Sequence, residues 1–284
     1  MTGWLDFYPQ RGPTLFGSPK SYEDATFVCY GVPFDSTSWF RPGSRFGPLA
    51  IRVASQGLEN PYNSISLADL GDLPPSTNIS MNLRRVFRVV KQIVKDGKIP
   101  VGIGGEHTLT LAASKASCTD CCLIVFDAHL DMRNEFMDSK INHATWLRRL
   151  IERGFGGSVL VIGVRGFELA EIEYAKRSGV RVLLSSELEN YEGVIKEFLS
   201  EFKRTYLSID IDVLDPSFAP GVSSPEPLGI DPPILYKILE TILTSAKLIG
   251  VDVVEVNPLF DNGLTTLHAA SLLLKIFTTI SSQV

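Results

Sequence analysis

An apolar run followed directly by alternating charged residues constrains this chain more than any other feature. The run CCLIVF, residues 121–126, precedes DAHLD, residues 127–131. Apolar runs of this length, rich in β-branched residues, are typical of strands buried on both faces of a parallel sheet. Because side chains alternate along a strand, Asp127, His129 and Asp131 are predicted to lie on one side, about 6–7 Å apart if the extended geometry continues. Two carboxylates in such a place need a cation.

Strand-length apolar segments recur along the chain, and helix-like stretches separate most of them. The segments begin near residues 25, 98, 122, 158, 181, 204 and 248. The stretch 81–98 has apolar residues at helical spacing and ends in Lys-Asp-Gly, and 265–280 is typical of a closing helix. Alternating strands and helices predict an α/β fold with parallel βαβ units. No repeat or composition shift divides the sequence, so we expect a single domain over residues 1–284.

Composition narrows the class of partner. The net charge is −5 at pH 7 and no block rich in Lys and Arg is present, which disfavours nucleic acid and anionic membranes. The start, MTGWLDFYPQRGP, lacks the basic-then-apolar order of a signal peptide. No apolar run approaches the roughly 20 residues that cross a bilayer. We therefore expect a cytoplasmic protein that acts on small molecules.

The cysteines give little support to a disulfide framework or a zinc site. They stand at positions 29, 118, 121 and 122, and no second Cys or His pair has zinc-finger spacing. A chain of this length with so few cysteines is typical of proteins with reduced thiols. We expect buried, reduced cysteines that lead into a strand.

Polar residues follow four of the apolar segments at their carboxyl ends. His107 comes after VGIGG, the Asp127 cluster after CLIVF, Asp210 and Asp212 close RTYLSIDID, and Glu255 closes GVDVVEV. Ligands of open α/β sheets gather where the carboxyl ends of the strands meet the loops. The sequence therefore predicts one polar site at this edge of the sheet.

Four carboxylates and two imidazoles from these segments are predicted to hold two metal ions. The set is His107, Asp127, His129, Asp131, Asp210 and Asp212. Four negative charges would balance two divalent cations, and such cations lower the pKa of a shared water enough to supply hydroxide at neutral pH. Oxygen ligands with some imidazole and no thiolate favour Mn²⁺ over zinc. A single Asp after a strand is often only a helix cap, so the joint pattern carries the prediction.

Three motifs in order resemble the ureohydrolase family, which includes arginase, agmatinase and formimidoylglutamase. They are GGEHT at 104–108, DAHLD at 127–131 and SIDIDVLDPSFAPG at 208–221. GVPFDSTSWFRPGSRFGPLAIR at 31–52 and VDVVEVNP at 251–258 extend the resemblance over most of the chain. These last two segments look most like agmatinases, which hydrolyse agmatine to putrescine and urea in polyamine biosynthesis.

The resemblance implies a three-layer αβα arginase-like fold with an eight-stranded parallel sheet. It also implies two Mn²⁺ per subunit and a homotrimer or homohexamer. The implied ligand roles are Asp127 and Asp210 bridging both ions, His107 and Asp131 completing one, and His129 and Asp212 completing the other.

Two further residues receive catalytic roles from the resemblance. Glu255 matches the carboxylate that holds the substrate guanidinium, and His143, in INHATW, matches the histidine that relays a proton to the leaving amine. Both roles make chemical sense, because paired hydrogen bonds from a carboxylate orient a planar guanidinium. An imidazole, with an ordinary pKa of about 6.5, can carry the proton.

The substrate tail stays open between alternatives. Agmatinases and arginases commonly read GTGTPEPGG where this chain reads GVSSPEPLG, residues 221–229, a pattern that also resembles formimidoylglutamases. An ammonium tail requires acids or carbonyls and a carboxylate tail requires Arg or Lys; the candidates are Asp35, Arg41, Arg45, Arg165 and Glu168. We expect a dinuclear manganese agmatinase. The alternatives are formimidoylglutamase or another guanidino-acid ureohydrolase, and a non-catalytic metal-binding relative.

Overall fold

Eight parallel strands form one sheet in the centre of the molecule. The computed structural model describes residues 12–18, 20–59 and 65–282, so most of the N-terminal segment tested for a signal peptide lies outside the described residues. The strands are β1 (Phe27–Val32), β2 (Leu67–Asp72), β3 (Ile99–Gly104), β4 (Cys122–Phe126), β5 (Val159–Val164), β6 (Arg181–Leu184), β7 (Arg204–Asp210) and β8 (Lys247–Val254). Their order in the sheet is β2-β1-β3-β8-β7-β4-β5-β6. The predicted α/β fold with an eight-stranded parallel sheet is confirmed.

Helices cover both faces of the sheet. They are α1 (Gly47–Ser55), α2 (Ile79–Lys95), α3 (Thr110–Ser117), α4 (Trp146–Leu150), α5 (Leu169–Arg177), α6 (Tyr191–Ser200), α7 (Pro232–Ser245) and α8 (Leu264–Ser281). Apolar residues of α1, α6, α7 and α8 share one buried cluster with the sheet, and those of α2 to α5 share the other. This is the three-layer αβα arrangement, and it explains why the central strands are apolar on both faces.

Strand β2 was missed in the sequence because it does not look like a buried strand. Its residues LADLGD lie at the edge of the sheet, and only the first two are buried. Two of its acids are held by one arginine of α1: Arg52 Nε lies 2.8 Å from Asp69 Oδ2, and Arg52 Nη1 lies 2.5 Å from Asp72 Oδ1. Ion pairs with a buried guanidinium thus act beside the burial of Leu67 and Ala68 in holding this edge.

The predicted closing helix is confirmed as α8, which extends one residue beyond the stretch 265–280 at each end. Its 18 residues have a mean hydropathy of 1.3, enough by length and composition to cross a membrane. Leu272, Leu273, Ile276 and Phe277 are nevertheless fully buried in the cluster shared with α1 and α7. The helix therefore packs as a core helix of the αβα sandwich.

The prediction that all four cysteines are reduced is wrong for two of them. Cys118 and Cys121 form a disulfide across the turn between α3 and β4, with their Cα atoms 5.5 Å apart. The turn brings the two residues within the separation that a disulfide needs, which sequence spacing alone does not indicate. Cys29 and Cys122 are free and buried, as expected.

Candidate active site

The predicted site residues follow four strands that are neighbours in the sheet. The order β3-β8-β7-β4 places the carboxyl ends of these strands side by side. Their last residues are in register: Ile103 pairs with Val253, Asp210 with Val254, and Phe126 with Ile209. Backbone pairing alone therefore brings the segments after these strands to one edge, as the sequence predicts.

The segment after β4 departs from the extended geometry that the alternation suggested. Strand β4 ends at Phe126, and the backbone turns into the left-handed region at Asp131, with φ 51°. The buried Trp146 fixes this residue, because its indole Nε1 donates to Asp131 Oδ2 at 2.7 Å. Asp131 thus reaches the site through a turn and not through strand alternation.

The segment after β3 requires a glycine at residue 105. A Cβ on Gly105 would lie 1.9 Å from the carbonyl oxygen of Phe34, so any side chain there would displace the neighbouring backbone. The amide of Glu255 donates to the Gly105 carbonyl at 2.9 Å, and the amide of His107 donates to Glu255 Oε1 at 2.8 Å. These contacts join the ends of β3 and β8 and hold His107 and Glu255 in fixed positions.

Two overlapping groups of ligand atoms lie at this edge, one around each predicted histidine. His107 Nδ1 lies 3.0 Å from Asp127 Oδ2, 3.4 Å from Asp131 Oδ2 and 3.3 Å from Asp210 Oδ2. His129 Nδ1 lies 3.0 Å from Asp212 Oδ2 and 3.6 Å from Asp127 Oδ1. Asp127 belongs to both groups, so its two oxygens face two candidate metal positions.

The donor set fits divalent cations. His107 Nδ1 is buried and, among the described residues, makes no hydrogen bond despite the three carboxylates around it. The opposite nitrogen, Nε2, lies 3.0 Å from Ser208 Oγ, and Ser208 donates to the buried Asp252. His129 Nε2 lies 3.6 Å from Glu226 Oε1. The Nδ1 of each imidazole thus faces the carboxylates, and Ser208 holds the opposite nitrogen of His107, as in histidines that bind metals.

The charges of the site also indicate a cation. Burial, followed by repulsion from Asp212 and Asp127, raises the pKa of Asp210 well above its usual value. Burial and the neighbouring Asp127 raise the pKa of Asp131 to about 6. Burial lowers the pKa of His107, but attraction to the nearby carboxylates of Asp127, Asp131 and Asp210 outweighs it, and the pKa rises well above normal. A metal ion entering this site therefore displaces a proton, which makes its affinity depend on pH.

The two residues with predicted catalytic roles face the same site. Glu255, at φ 61°, is 5% exposed and has an oxygen, Oε2, without a hydrogen-bond partner among the residues described. Burial and repulsion from Glu106 raise the pKa of Glu255 to about 8. His143 lies at the same small cavity as His107, His129 and Glu255. Burial, followed by repulsion from His129 and His107, lowers the pKa of His143 to about 4.

A larger cavity opens beside the predicted metal ligands. Its volume is about 440 Å³, and its walls include Trp39, Phe40, Arg133, Phe136, Phe167, Glu168, Glu171 and Glu226 together with His129, Asp131 and His143. Most of these wall residues were missed in the sequence, since they come from four separate loops. The GVSSPEPLG segment indicated that the loop of Glu226 departs from the family pattern, but it did not indicate that the Glu226 side chain lines the cavity.

Most of the candidates for tail recognition have other partners. Arg165 donates to six carbonyl oxygens, those of Gly163, Asp212, Val213, Leu214, Glu226 and Pro227. Asp35 accepts hydrogen bonds from Gly43 and Arg45, and the Arg41 guanidinium lies over the rings of Phe40 and Phe260. Of the five candidates, only Glu168 lines the cavity.

Comparison with known proteins identifies the family. A sequence model of the Arginase family matches residues 25–278. The chain belongs to the arginase family. It is 35% identical to the agmatinase of Bacillus subtilis (strain 168) over 276 residues, which cover 93% of this chain and 94% of that protein. It is 34% identical to the mitochondrial guanidino acid hydrolase of Homo sapiens over 275 residues, 89% of this chain and 77% of that protein.

Solved structures of arginase-family proteins share the fold. The crystal structure of the agmatine ureohydrolase of Thermoplasma volcanium has a TM-score of 0.90 and 33% identity, with 98% of each chain covered. The predicted arginase-like fold is confirmed, and so is the prediction of a ureohydrolase that acts on guanidino C–N bonds. Family membership also supports a metal-dependent enzyme, in agreement with the two ligand groups.

Proposed function

We propose that this arginase-family enzyme is an agmatinase, which hydrolyses agmatine to putrescine and urea with two Mn²⁺ per subunit. The observation that carries the choice of substrate is the chemistry of the cavity beside the metal ligands. Agmatine has a guanidinium at one end, four methylenes in the middle and an ammonium at the other end. Glu255, at the small cavity of the predicted metal ligands, is the counterpart of the guanidinium, and the walls of the larger cavity offer counterparts to the methylenes and the ammonium.

The walls are aromatic and acidic. Trp39, Phe40, Phe136 and Phe167 provide aromatic surface. Among the described wall residues, three glutamates and the predicted metal ligand Asp131 stand against one guanidinium, that of Arg133. Aromatic faces attract alkyl chains and also cations, through the negative face of the ring. This combination favours a cationic tail over an anionic one.

Arg133, the one arginine that the described residues contribute to the cavity, is paired. Arg133 Nη2 lies 3.1 Å from Glu168 Oε1, and the guanidinium stacks 5.0 Å from the centre of the Phe136 ring. Glu171 is occupied by the amides of Met132 and Glu168. Glu226, with 40% of its side chain exposed, is left as the carboxylate available to an ammonium.

The chain's own groups supply binding and proton transfer. When bound, the divalent cations activate water as a nucleophile and polarise the substrate. Glu255 holds the guanidinium by its unpartnered Oε2 and so brings the guanidinium carbon to the metal ligands. His143 delivers a proton to the departing amine nitrogen as the C–N bond breaks.

A guanidino acid is the second candidate substrate, and Arg133 is the observation that favours it. If Arg133 left Glu168, its guanidinium would face the cavity and could bind a carboxylate tail. The human relative named a guanidino acid hydrolase makes this alternative chemically relevant. Formimidoylglutamate carries a carboxylate tail as well and falls under the same test.

The test is product release from four substrates with the Mn²⁺-loaded protein. Urea is measured with agmatine, arginine and guanidinobutyrate, and formamide with formimidoylglutamate. The proposal predicts urea from agmatine at a kcat/KM at least about tenfold above the others, equivalent to about 1.4 kcal/mol of discrimination. Preferred turnover of guanidinobutyrate would overturn the choice of agmatine, and formamide without urea would indicate a formimidoylglutamase.

Substitution of Glu226 tests the recognition of the tail. Glu226→Gln should raise the KM for agmatine about fivefold, because a partly exposed ion pair contributes up to about 1 kcal/mol, and should leave the KM for guanidinobutyrate unchanged or lower. Metal content is measured in parallel, since Glu226 also faces His129. Glu173→Gln, at an exposed glutamate of α5 outside the cavity, is the matched control. Equal changes for both substrates would show that Glu226 does not contact the tail.

Three further features are part of the proposal. We propose manganese because of the oxygen-rich donor set, a homotrimer or homohexamer because of the family resemblance, and a cytoplasmic location because of the composition. Metal analysis of the purified protein and its mass in solution test the first two.

A further inference from the structure

A buried glutamate lies behind His143 and is not used by the mechanism above. Glu106 is 1% exposed and accepts hydrogen bonds at both carboxylate oxygens. The Thr37 amide donates to its Oε2 at 2.8 Å, and the Thr37 hydroxyl donates to its Oε1 at 2.7 Å. The Thr108 hydroxyl also donates to Oε1. Thr37 therefore donates to the carboxylate from both its backbone amide and its side-chain hydroxyl.

The same threonine contacts His143 across 106 residues of sequence. Thr37 Oγ1 lies 3.2 Å from His143 Nδ1 and accepts a hydrogen bond from the His143 backbone amide at 3.3 Å. The Phe136 ring packs edge-on against the imidazole, with the ring centres 5.5 Å apart. The imidazole is thus held on one side by a hydroxyl and on another by an aromatic ring.

While Glu106 is ionised, the hydrogens of this chain of contacts have only one consistent direction. A carboxylate accepts and cannot donate, so the single hydroxyl hydrogen of Thr37 is directed to Glu106. Thr37 Oγ1 can then only accept from His143. The hydrogen between them must come from the imidazole, which places it on Nδ1 and leaves the lone pair on Nε2.

We infer that Thr37 and Glu106 are positioning residues that hold neutral His143 in the Nδ1–H tautomer, with Nε2 free for proton transfer at the substrate. The inference deepens the proposed function and rests on it for its catalytic meaning. In hydrolysis the water oxygen bonds to the guanidinium carbon, and the electron pair of the broken C–N bond stays on the amine nitrogen. Both water protons end on that nitrogen, one of them carried by His143 Nε2, so the amine leaves as an ammonium.

The first test is nitrogen NMR of the histidine rings. The chain has four histidines, so selective ¹⁵N-histidine labelling gives a small set of signals, and His143→Asn identifies those of His143. The full chain is loaded with diamagnetic Zn²⁺, because Mn²⁺ broadens the lines. The inference predicts a protonated Nδ1 and an unprotonated Nε2 at neutral pH. A proton on Nε2 in the wild-type protein would overturn it.

The second test separates positioning from a merely structural role. Thr37→Val keeps the shape but removes the hydroxyl, and we expect kcat on agmatine to fall about 10- to 100-fold with KM and metal content little changed. Thr37→Ser restores the hydroxyl and should recover most of kcat and the Nδ1–H signal. An unchanged kcat in Thr37→Val, or no recovery in Thr37→Ser, would contradict the inference.

Glu106→Gln provides a second variant in case Thr37→Val does not fold. A glutamine amide can donate to Thr37 Oγ1, which allows the hydroxyl to turn and donate to His143 Nδ1. The expected result is a shift of the imidazole proton from Nδ1 to Nε2, with metal content checked because His107 is the next residue. NMR reports the tautomer whether or not agmatine is turned over. A protein that is inactive on every substrate but has the Nδ1–H signal would therefore contradict the proposed function and not the tautomer.

Discussion

The floor and the rim of the site are built in different ways. We call the floor His107, Asp127, His129, Asp131, Asp210, Asp212 and Glu255, which follow β3, β4, β7 and β8. We call the rim the loops 36–41, 133–143, 165–171 and 224–229, which line the adjoining cavity. Paired strands position most of the floor, with Asp131 placed by a turn and by Trp146, whereas hydrogen bonds from side chains to distant backbone position the rim. In the proposed function, the floor carries the chemistry common to the family and the rim sets the choice of substrate.

The largest effect is expected from the substitution of one carboxylate of the floor, that of Glu255. Glu255→Gln keeps an acceptor for the His107 amide but removes the negative charge that the carboxylate takes on beside a bound guanidinium. We expect kcat/KM for agmatine to fall about 100- to 1,000-fold, since the loss of one partner of a buried charge pair costs about 2–5 kcal/mol. Steady-state urea release gives the ratio, and metal analysis shows whether both ions are retained.

Two outcomes test this account of the floor. Glu255→Asp keeps the charge but shortens its reach, so its activity should lie between those of the wild type and Glu255→Gln. Undiminished turnover by Glu255→Gln with full metal content would refute the role given to Glu255. Loss of metal in parallel with activity would instead assign this carboxylate to the support of His107.

A smaller effect is expected when the rim is released from the sheet. Arg165 joins the loop 224–229 to the end of β7 through carbonyls on both sides, including those of Glu226 and Asp212. Arg165→Met should raise the KM for agmatine about 10-fold or more and change kcat less, because the cavity wall moves while the floor stays paired. The free energy of unfolding should also fall by about 2–3 kcal/mol, as several carbonyls lose a charged donor.

The matched variant for this prediction is Arg165→Lys. Lysine keeps the charge but has three donors on one nitrogen in place of the guanidinium fork, so it should restore only part of the lost binding. Urea release against agmatine concentration and urea denaturation measure the two effects. A wild-type KM in Arg165→Met would show that the loop keeps its position without the arginine.

The floor could be predicted from the sequence because its signal is local. Each ligand stands within a few residues of an apolar strand, and parallel strands bring such positions together whatever their order. The rim gave no such signal. Thr37 and His143 are 106 residues apart, and Arg165 and Glu226 are 61 apart, so their contacts depend on packing that periodicity does not encode.

The same physical reason explains the other errors of prediction. Arg165 looked like a residue for the substrate tail because its charge was visible in the sequence and its six carbonyl partners were not. Strand β2 was missed because two of its six residues are acids that pair with Arg52, so its sequence has no continuous apolar pattern. The disulfide of Cys118 and Cys121 depends on the geometry of one turn. In each case the structure depends on a contact between specific atoms, whereas hydrophobic patterns in the sequence indicate only which residues are buried.

The floor and the rim both contain residues with strained backbone, but the strain has a different consequence in each. Asp131 and Glu255 have φ of 51° and 61°, and Leu228, in the loop 224–229, has φ 64°. Such conformations cost a residue with a Cβ about 1 kcal/mol or more. In the floor that cost comes with a carboxylate placed at the site, and a glycine would remove the carboxylate. Leu228 is 82% exposed and does not line the cavity, so its strained backbone places no side chain at the site.

Leu228→Gly should therefore increase the free energy of unfolding, by about 0.5–1 kcal/mol. Glycine removes the strain that a Cβ causes in the left-handed conformation, but it also gives the unfolded chain more freedom, which reduces the gain. Little buried apolar surface is lost, because Leu228 is exposed. Denaturant unfolding measures the change, and Leu228→Ala is the control, because it keeps a Cβ in the same conformation and should give no gain. Equal stability of the glycine and alanine variants would mean that contacts of the loop, and not the backbone of residue 228, set the energy of this part of the rim. A gain for glycine alone would show that strain in the rim can be removed by one substitution, whereas strain in the floor is tied to the residues that carry the chemistry.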